Sequence, residues 1–382
     1  MKKLPLKVEK RLQLRKQENS LRSLGICSDM VDLSSNDYLG FSSSLAIFRQ
    51  AERILQDKDV LKNGATGSRL LTGNHKLYGF AEEYLSDFHN ADAALIFNSG
   101  YDANLGFFGS VPQKGDVILY DELSHASIRD GISLSKAQAY KFRHNDLQDL
   151  EEKILRLRKN EETEVYVVTE AVFSMDGDIP DLRALMELSK RLNFLLVIDE
   201  AHSTGVIGTR GKGPLQELGL EKEVFARILT FGKALGAHGA AILGSKELEQ
   251  YLINFSRSFI YTTALPPHSV ATIIAAYQHL NSEGAEKVEA LSKNIGLFNS
   301  QVVKLGLENK FIKSTSAVHS CIIPGNEAVK KVAAKLQKQG FDVKPILSPT
   351  VPEGKERLRF CLHSYNTPQE VQSALSLLAD LI

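Results

Sequence analysis

The chain has few cysteines, no excess of charge and no long hydrophobic run, and each of these absences excludes a class of protein. Three of its 382 residues are cysteines, Cys27, Cys321 and Cys361, and no C-x-x-C pair occurs. An odd number of isolated cysteines argues against a disulfide framework, so we expect reduced thiols without a role. Lysine plus arginine equals aspartate plus glutamate at 46 each, so no net field attracts nucleic acid or an anionic membrane.

The basic start of the chain, residues 1–7, is not followed by an apolar stretch. We therefore predict neither a signal peptide nor a membrane span, and we expect a cytoplasmic protein. The histidines include no H-x-x-x-H or H-E-x-x-H pair, so we expect no metal site.

The spacing of short apolar runs predicts the fold class, which is α/β. Such runs alternate with helical stretches, at residues 93–98, 117–120, 165–170, 195–199, 228–231 and 240–243. This alternation is typical of a mostly parallel central sheet with helices on both faces. Beyond Pro266 and Pro267 the pattern changes to that of a smaller α+β domain, with short strands near residues 317–323, 341–346 and 358–362. We therefore divide the chain into an N-terminal helical arm (1–40), a large domain (41–265) and a small C-terminal domain (266–382).

Two helices have clear local signals. Between residues 7 and 24, leucines spaced among many charges predict a helix laid on a larger body, although a solvated charged face would explain most of that segment. Near the C-terminus, Thr367, Pro368 and Glu370 form a capping box with proline at the first helical position. The residues expected to line one face of the last helix are Val371, Leu375, Leu378 and Ile382.

Lys233 is the first candidate for chemistry. It lies in the segment TFGKALG at residues 230–236, after an apolar run and among small residues. This setting predicts a buried lysine. Desolvation of a buried lysine favours its neutral amine, which can condense with an aldehyde near neutral pH. An ordinary lysine at the start of a helix is an equal alternative on this segment alone.

Asp199 is the second candidate. It ends the apolar run LLVID at residues 195–199 and is followed three residues later by His202. Unbroken apolar runs suit strands that are covered on both faces, and such sheets bind ligands beyond the carboxyl ends of their strands. A pyridoxal phosphate enzyme needs a carboxylate there to keep the pyridine nitrogen protonated. Asp199 could supply the carboxylate for the pyridine nitrogen, and Lys233 the amine that condenses with the aldehyde.

Seven motifs extend this pattern, in order, along most of the chain from about Leu33. They are SSNDYLG (34–40), GATGSR (64–69), SHAS (124–127), TEAVFSMDGD (169–178), DEAH (199–202), TFGK (230–233) and RLR (357–359). In these motifs the sequence resembles the α-oxoamine synthases, a branch of the fold-type-I pyridoxal phosphate enzymes with an aspartate aminotransferase-like fold. These enzymes join an amino acid to an acyl-CoA and release carbon dioxide.

The resemblance implies a pyridoxal 5′-phosphate site with four catalytic residues. Lys233 would form the Schiff base, Asp199 would bind the pyridine nitrogen, His125 would stack on the ring, and His202 would meet the phenolic oxygen. The other cofactor contacts that it implies are Ser99, Gly100, Tyr101, Ser174, Thr230 and, from the second subunit of a homodimer, Thr263. Without the resemblance, residues 99–101 would be read as a turn and His125 as a capping or turn histidine.

The resemblance also implies two substrates, an L-amino acid and an acyl-CoA thioester. Arg359 and Asn36 align with contacts to the amino-acid carboxylate, for which a guanidinium is well suited. Arg22 falls near a contact to a carboxylate at the far end of the acyl chain, although it could equally be one more solvated helix charge. We expect L-alanine and a pimeloyl thioester. The alternatives are glycine with acetyl-CoA or succinyl-CoA, serine with palmitoyl-CoA, and a catalytically silent pyridoxal-binding subunit.

One position departs from the family's pattern. Tyr78 stands where the segment after Gly73, Asn74 and His75 usually carries a second histidine. The sequence alone assigns this tyrosine no role.

Overall fold

The structure is a computed structural model that describes residues 3–22, 24, 29–160 and 162–382. Cys27 lies outside the described residues. The helices are α1 (Leu6–Gln17), α2 (Leu45–Asp57), α3 (Lys76–Phe88), α4 (Gly100–Phe108), α5 (Ala126–Leu134), α6 (Leu147–Leu157), α7 (Leu182–Leu192), α8 (Pro214–Leu218), α9 (Lys246–Phe255), α10 (Arg257–Ile260), α11 (Pro267–Ser282), α12 (Gly284–Lys304), α13 (Asn326–Lys338) and α14 (Pro368–Ala379). The strands are β1 (Val31–Asp32), β2 (Ala93–Phe97), β3 (Val117–Asp121), β4 (Gln138–Phe142), β5 (Val165–Glu170), β6 (Leu195–Asp199), β7 (Ala226–Thr230), β8 (Ala240–Gly244), β9 (Val318–Ile322), β10 (Phe341–Asp342), β11 (Lys344–Ile346) and β12 (Arg357–Cys361).

The chain divides into two compact units. Unit 1 contains residues 1–35, 175–177 and 291–382, and unit 2 contains residues 36–174 and 178–290. The three-part division made from the sequence stays a prediction.

Unit 2 is built on a seven-stranded sheet with the order β2-β8-β7-β6-β5-β3-β4. Neighbouring strands are parallel except at β8, which is antiparallel to both β2 and β7. This confirms the predicted fold class, a mostly parallel central sheet with helices on both faces.

The apolar run of β6 is unbroken because both faces of the sheet are covered. Val197 belongs to one buried cluster, with Phe107 of α4 and Leu252 of α9. Leu196 and Ile198 belong to another on the opposite face, which also contains residues of α6 and α7. Successive strand residues alternate between faces, so a strand buried on both sides needs apolar residues at every position.

The sequence missed β4, because this edge strand lacks an apolar run. Four of its five residues are exposed, and only Phe142 is buried. It pairs in parallel with β3, from Val117 opposite Gln138 to Asp121 opposite Phe142. Edge strands bury less surface than central ones, so their hydrophobic signal is weak.

Unit 1 contains a three-stranded antiparallel sheet, β11-β12-β9, and a parallel pair of β1 with β10. The predicted capping box is present at α14, where the Thr367 side chain accepts a hydrogen bond from the Glu370 N–H and the Glu370 carboxylate accepts one from the Thr367 N–H. Val371, Leu375 and Leu378 are buried as predicted, but Ile382 lies beyond the helix end and is exposed.

The prediction for the N-terminal helix was only partly correct. The helix α1 ends at Gln17 and has no buried residue, and the leucines at positions 12, 14, 21 and 24 are all exposed. The charged segment therefore has a solvated face, which was the alternative interpretation. Within the described residues, none of the helices has both the length and the apolar character needed to cross a membrane.

Candidate active site

The candidate active site lies at the carboxyl ends of the parallel strands of unit 2. Asp199 ends β6, where it pairs in register with Glu170 at the end of β5 and with Ile228 on β7. Each oxygen of its carboxylate accepts a hydrogen bond. The Ala201 N–H donates to Oδ1 at 2.9 Å, and Asn104 Nδ2 donates to Oδ2 at 3.0 Å. The carboxylate is buried and held at a fixed orientation.

A cavity of about 160 Å³ opens beside Asp199. Seven residues that the sequence had singled out line it, namely Gly100, Tyr101, His125, Asp199, His202, Thr230 and Lys233. Four further residues line it that sequence reasoning missed, namely Asn104, Ser127, Glu170 and Ala201. The structure therefore brings the predicted lysine, carboxylate and two imidazoles to one place.

Lys233 lies in the turn between β7 and β8 and is half-buried, so it is less buried than predicted. The turn is closed by a hydrogen bond from the Gly236 N–H to the Lys233 carbonyl at 2.8 Å. Gly236 has φ 58°, and a Cβ there would come within 2.1 Å of the Ser42 nitrogen. Only glycine fits this turn, which fixes the backbone that carries the lysine.

The helix α4 presents its N-terminus to the cavity through Gly100 and Tyr101. Ser99 caps the helix, since its side chain accepts a hydrogen bond from the Asp102 N–H at 3.0 Å. The first N–H groups of a helix have no partner within it and attract anions. The Tyr101 hydroxyl donates to Asp130.

His125 caps helix α5 and is held on two sides. Its Nδ1 lies 2.8 Å from Ser127 Oγ and accepts a hydrogen bond from the Ser127 N–H at 3.2 Å. The backbone N–H of His125 donates to Glu170 Oε1 at 2.6 Å. Burial lowers the pKa of His125, so the imidazole is neutral at neutral pH.

Glu170 is a buried carboxyl group directly beside this histidine, with 3% of its surface exposed. Burial raises the pKa of Glu170 to about 8, and the nearby charge of Asp199 adds to the effect. Glu170 is therefore mainly protonated at neutral pH. Nothing in the local sequence marks this role, because it depends on the pairing of β5 with β6.

His202 is linked to Asn36 by a tyrosine. The Tyr38 hydroxyl donates to Asn36 Oδ1 at 3.1 Å and lies 2.7 Å from His202 Nδ1. Tyr38 is fully buried. The sequence placed Tyr38 in the SSNDYLG motif but assigned it no role.

Four other predicted residues of unit 2 lie outside the lining of this cavity, namely Asn36, Ser99, Ser174 and Thr263. Ser174 follows the end of β5. Thr263 is exposed, and its carbonyl accepts a hydrogen bond from Asn98 Nδ2 at 2.7 Å.

Two predicted residues belong to unit 1. Arg359 is buried on β12, and Arg357, two residues earlier on the same strand, forms an ion pair with Asp176. Arg22 is exposed and donates a hydrogen bond to Thr350 Oγ1 at 3.1 Å.

Tyr78, the residue that departs from the family's pattern, is a packing residue of unit 2. It is buried on α3, and the Arg69 guanidinium lies 3.8 Å from the centre of its ring. Arg69 in turn pairs with the Glu82 carboxylate, donating to Oε2 at 2.9 Å. The tyrosine therefore supports the arginine of the GATGSR motif.

Comparisons with known proteins support one family. The profile of the family "Aminotransferase class I and II" matches residues 28–378. The 8-amino-7-oxononanoate synthase of Emericella nidulans is 43% identical over 96% of this chain and 93% of its own length.

Two solved structures are similar to the whole chain. A serine palmitoyltransferase from S. paucimobilis with bound PLP has a TM-score of 0.88 at 26% identity and covers 98% of this chain and 96% of its own. The 8-amino-7-oxononanoate synthase of Francisella tularensis has a TM-score of 0.77 at 29% identity, with coverages of 92% and 97%.

Proposed function

The chain belongs to the class I and II aminotransferase family, in its α-oxoamine synthase branch, and we propose that it condenses L-alanine with a pimeloyl thioester. It is a pyridoxal phosphate-dependent acyltransferase. The products of the proposed reaction are 8-amino-7-oxononanoate, carbon dioxide and free CoA or carrier protein, which would place the enzyme in biotin synthesis. The observation that carries the proposal is the cavity that gathers Lys233, Asp199, His125 and His202.

The residues around the cavity fit the cofactor. A primary amine suits its aldehyde, a carboxylate with two hydrogen-bond donors suits its ring nitrogen, and a helix N-terminus suits its phosphate. In this assignment Gly100, Tyr101, Ser99 and Thr230 bind the phosphate, together with Thr263 from the second subunit of a homodimer. When bound, pyridoxal phosphate supplies a protonated ring that takes up the electron pair of a carbanion.

Each side chain then has a defined task. The Asp199 carboxylate holds the proton on the ring nitrogen, and the neutral His125 ring covers the cofactor and excludes water. His202 and Ser174 donate to the phenolic oxygen. Lys233 Nζ, as general base, removes the proton from Cα of alanine and later returns a proton.

The two substrates are held by other residues. Arg359 and Asn36 bind the alanine carboxylate, and holding it orients the carbon–carbon bond that breaks when carbon dioxide leaves. Arg22 meets the terminal carboxylate of the pimeloyl chain. These assignments rest on the alignment of the motifs with the family.

A second candidate function is the condensation of serine with palmitoyl-CoA. It is favoured by the TM-score of 0.88 to a serine palmitoyltransferase, which exceeds that to the solved 8-amino-7-oxononanoate synthase. The sequence identities favour the first candidate, since the Emericella nidulans enzyme is 43% identical and the serine palmitoyltransferase 26%.

The deciding experiment is incubation of the holoenzyme with glycine, alanine or serine and a panel of acyl-CoA thioesters, with the release of free CoA as the signal. We expect the largest kcat/KM for alanine with pimeloyl-CoA. Heptanoyl-CoA is the matched control, because it has the same number of acyl carbons but ends in a methyl group. A preference for serine with palmitoyl-CoA would overturn the proposal in favour of the second candidate.

A further inference from the structure

A continuous chain of hydrogen bonds joins the Asp199 carboxylate to the His125 ring. The Asn104 side chain donates one amide hydrogen to Asp199 Oδ2 at 3.0 Å and the other to Ser127 Oγ at 3.0 Å. Ser127 Oγ lies 2.8 Å from His125 Nδ1. Asn104 belongs to α4 and Ser127 to α5, so the two links come from different helices.

The direction of each hydrogen bond follows from the groups involved. The amide nitrogen of Asn104 faces Asp199 and donates, because a carboxylate oxygen is an acceptor. The Ser127 hydroxyl accepts from Asn104 and therefore has its own hydrogen to donate to His125 Nδ1. The Ser127 N–H donates to the same nitrogen at 3.2 Å. Two donors converge on Nδ1, so the proton of the neutral ring is on Nε2.

Both linking residues are buried. Asn104 and Ser127 are each 2% exposed. Among the described residues the buried Asn104 Oδ1 has no hydrogen-bond partner. An unsatisfied buried acceptor is costly, so a purely structural role would favour another residue at this position.

We propose that Asn104 and Ser127 are positioning residues that couple the His125 ring to the Asp199 carboxylate. Through them the Asp199 carboxylate and the His125 ring are held in one fixed relative geometry. The carboxylate would hold the ring-nitrogen proton of the cofactor, and the imidazole would cover its face. The consequence for turnover rests on the proposed function, whereas the hydrogen bonds themselves do not.

The first measurement is the NMR shift of the His125 ring nitrogens in holoenzyme labelled at histidine, assigned by loss of the signal in His125→Asn. In the wild type we expect an unprotonated, hydrogen-bonded Nδ1. Ser127→Ala removes one donor to Nδ1 and should shift the Nδ1 signal accordingly. Ser127→Thr keeps the hydroxyl and should give the wild-type signal. Asn104→Leu, which removes none of the hydrogen-bond partners of His125, should move the same signal because the Ser127 hydroxyl is no longer held. Ser133→Ala, on the same helix, is the matched control and should move nothing.

The second measurement is a double-mutant cycle on turnover. Each of Asn104→Leu and Ser127→Ala should lower kcat by about tenfold, and the double variant should lose about as much as either alone, because both break one chain. An unchanged Nδ1 signal in Asn104→Leu, or a double variant that loses about 100-fold, would overturn the proposal. If Asn104→Leu does not fold, Asn104→Ser is read by the same criteria. Absence of turnover with every substrate would defeat the proposed function, and the NMR shifts would still decide this inference.

Discussion

At the scale of single residues, Asp199 illustrates how a buried carboxylate is held at a fixed orientation. Two hydrogen-bond donors, the Ala201 N–H and Asn104 Nδ2, satisfy its oxygens. The neighbouring Glu170 has its pKa raised to about 8, chiefly by burial, so this carboxyl group is mainly protonated at neutral pH.

We predict that Asp199→Asn keeps the fold and binds the cofactor but loses most of its ability to form a carbanion. An amide cannot hold the proton on the ring nitrogen as a carboxylate does, so the electron sink is weakened. The measurement is exchange of the Cα hydrogen of L-alanine in heavy water without an acyl donor, which should slow by about 100-fold or more. Asp181→Asn, at the cap of α7, is the control and should exchange normally. Near-normal exchange in Asp199→Asn would refute its proposed role.

For Lys233 we predict that borohydride reduction of the yellow holoenzyme fixes the cofactor on this residue. Its amine lines the cavity with Asp199, whereas the alternative sites Lys212 and Lys246 do not line that cavity. Peptide mapping after reduction identifies the modified lysine. Lys233→Ala should lose turnover by several orders of magnitude, and an adduct on Lys212 or Lys246 would contradict the assignment.

For Arg22 we predict a role in acyl selection. Arg22→Ala should raise the KM for pimeloyl-CoA by about 10- to 100-fold, which corresponds to one charge-assisted hydrogen bond, while alanine binding stays nearly intact. The KM for heptanoyl-CoA should not change, because that chain offers no carboxylate. Equal kinetics of the wild type and Arg22→Ala with pimeloyl-CoA would leave the arginine as a solvated charge held by Thr350.

The residues that could be found from the sequence are those with a local signal. Asp199 and Lys233 each follow an apolar run that ends a strand, so their place at the edge of the sheet was predictable. Asn104, Ser127 and Glu170 were missed, because their roles depend on which helices and strands become neighbours.

At the scale of elements, a histidine ties together the ends of two strands and a loop. His144, just after β4, lies with Nδ1 2.9 Å from Asp121 Oδ1 at the end of β3. Its Nε2 lies 2.7 Å from Asp178 Oδ2, beyond the end of β5. Burial opposes protonation of His144, but the hydrogen bonds to Asp121 and Asp178 outweigh it and raise its pKa to about 10. Nothing in the residues around His144 distinguishes it in the sequence from surface or packing histidines.

We predict that the free energy of unfolding falls in alkaline solution because His144 loses its proton. Its pKa is raised above the unfolded value of about 6.5, so its contribution is fully present below that pH and is lost as the pH rises towards 10. His144→Asn should lower the free energy of unfolding by about 1–2 kcal/mol at pH 6, after allowance for solvent screening, and by much less at pH 10. Urea unfolding at both pH values measures this, with the exposed His268→Asn as control. A difference that does not shrink with pH would show that the charge of His144 is not the cause.

Helices and strands were predictable where burial leaves a clear pattern of apolar residues in the sequence. The central strands of unit 2 were found because each contains a run of consecutive apolar residues, as in residues 195–198 of β6. The edge strand β4 was missed because four of its five residues are exposed, which leaves no apolar run in the sequence. For α1 the sequence predicted the helix correctly but did not show whether its leucines would be buried. Burial of a helix depends on which other elements pack against it.

At the scale of the whole molecule, exposed apolar side chains of unit 2 support the proposal of a homodimer. Leu61, Leu70 and Leu71 flank the GATGSR motif and are exposed, as is Tyr261 beside Thr263. Large exposed apolar side chains that occur together mark protein interfaces. In the sequence, the homodimer could be predicted only from the family resemblance.

We predict that the active site is shared between two subunits, with Thr263 of one chain completing the phosphate site of the other. Lys233→Ala and Thr263→Val should each be severely impaired alone, yet a mixture allowed to exchange subunits should recover activity. In the hybrid dimer one site would carry both defects and the other neither, so recovery should approach about a quarter of wild-type activity after random exchange. The control is a mixture of Lys233→Ala with Asp199→Asn, whose residues line the same cavity of one chain, so each hybrid site keeps one defect and no recovery is expected. Recovery in the control as well, or a fully active monomer in sedimentation, would exclude a shared site.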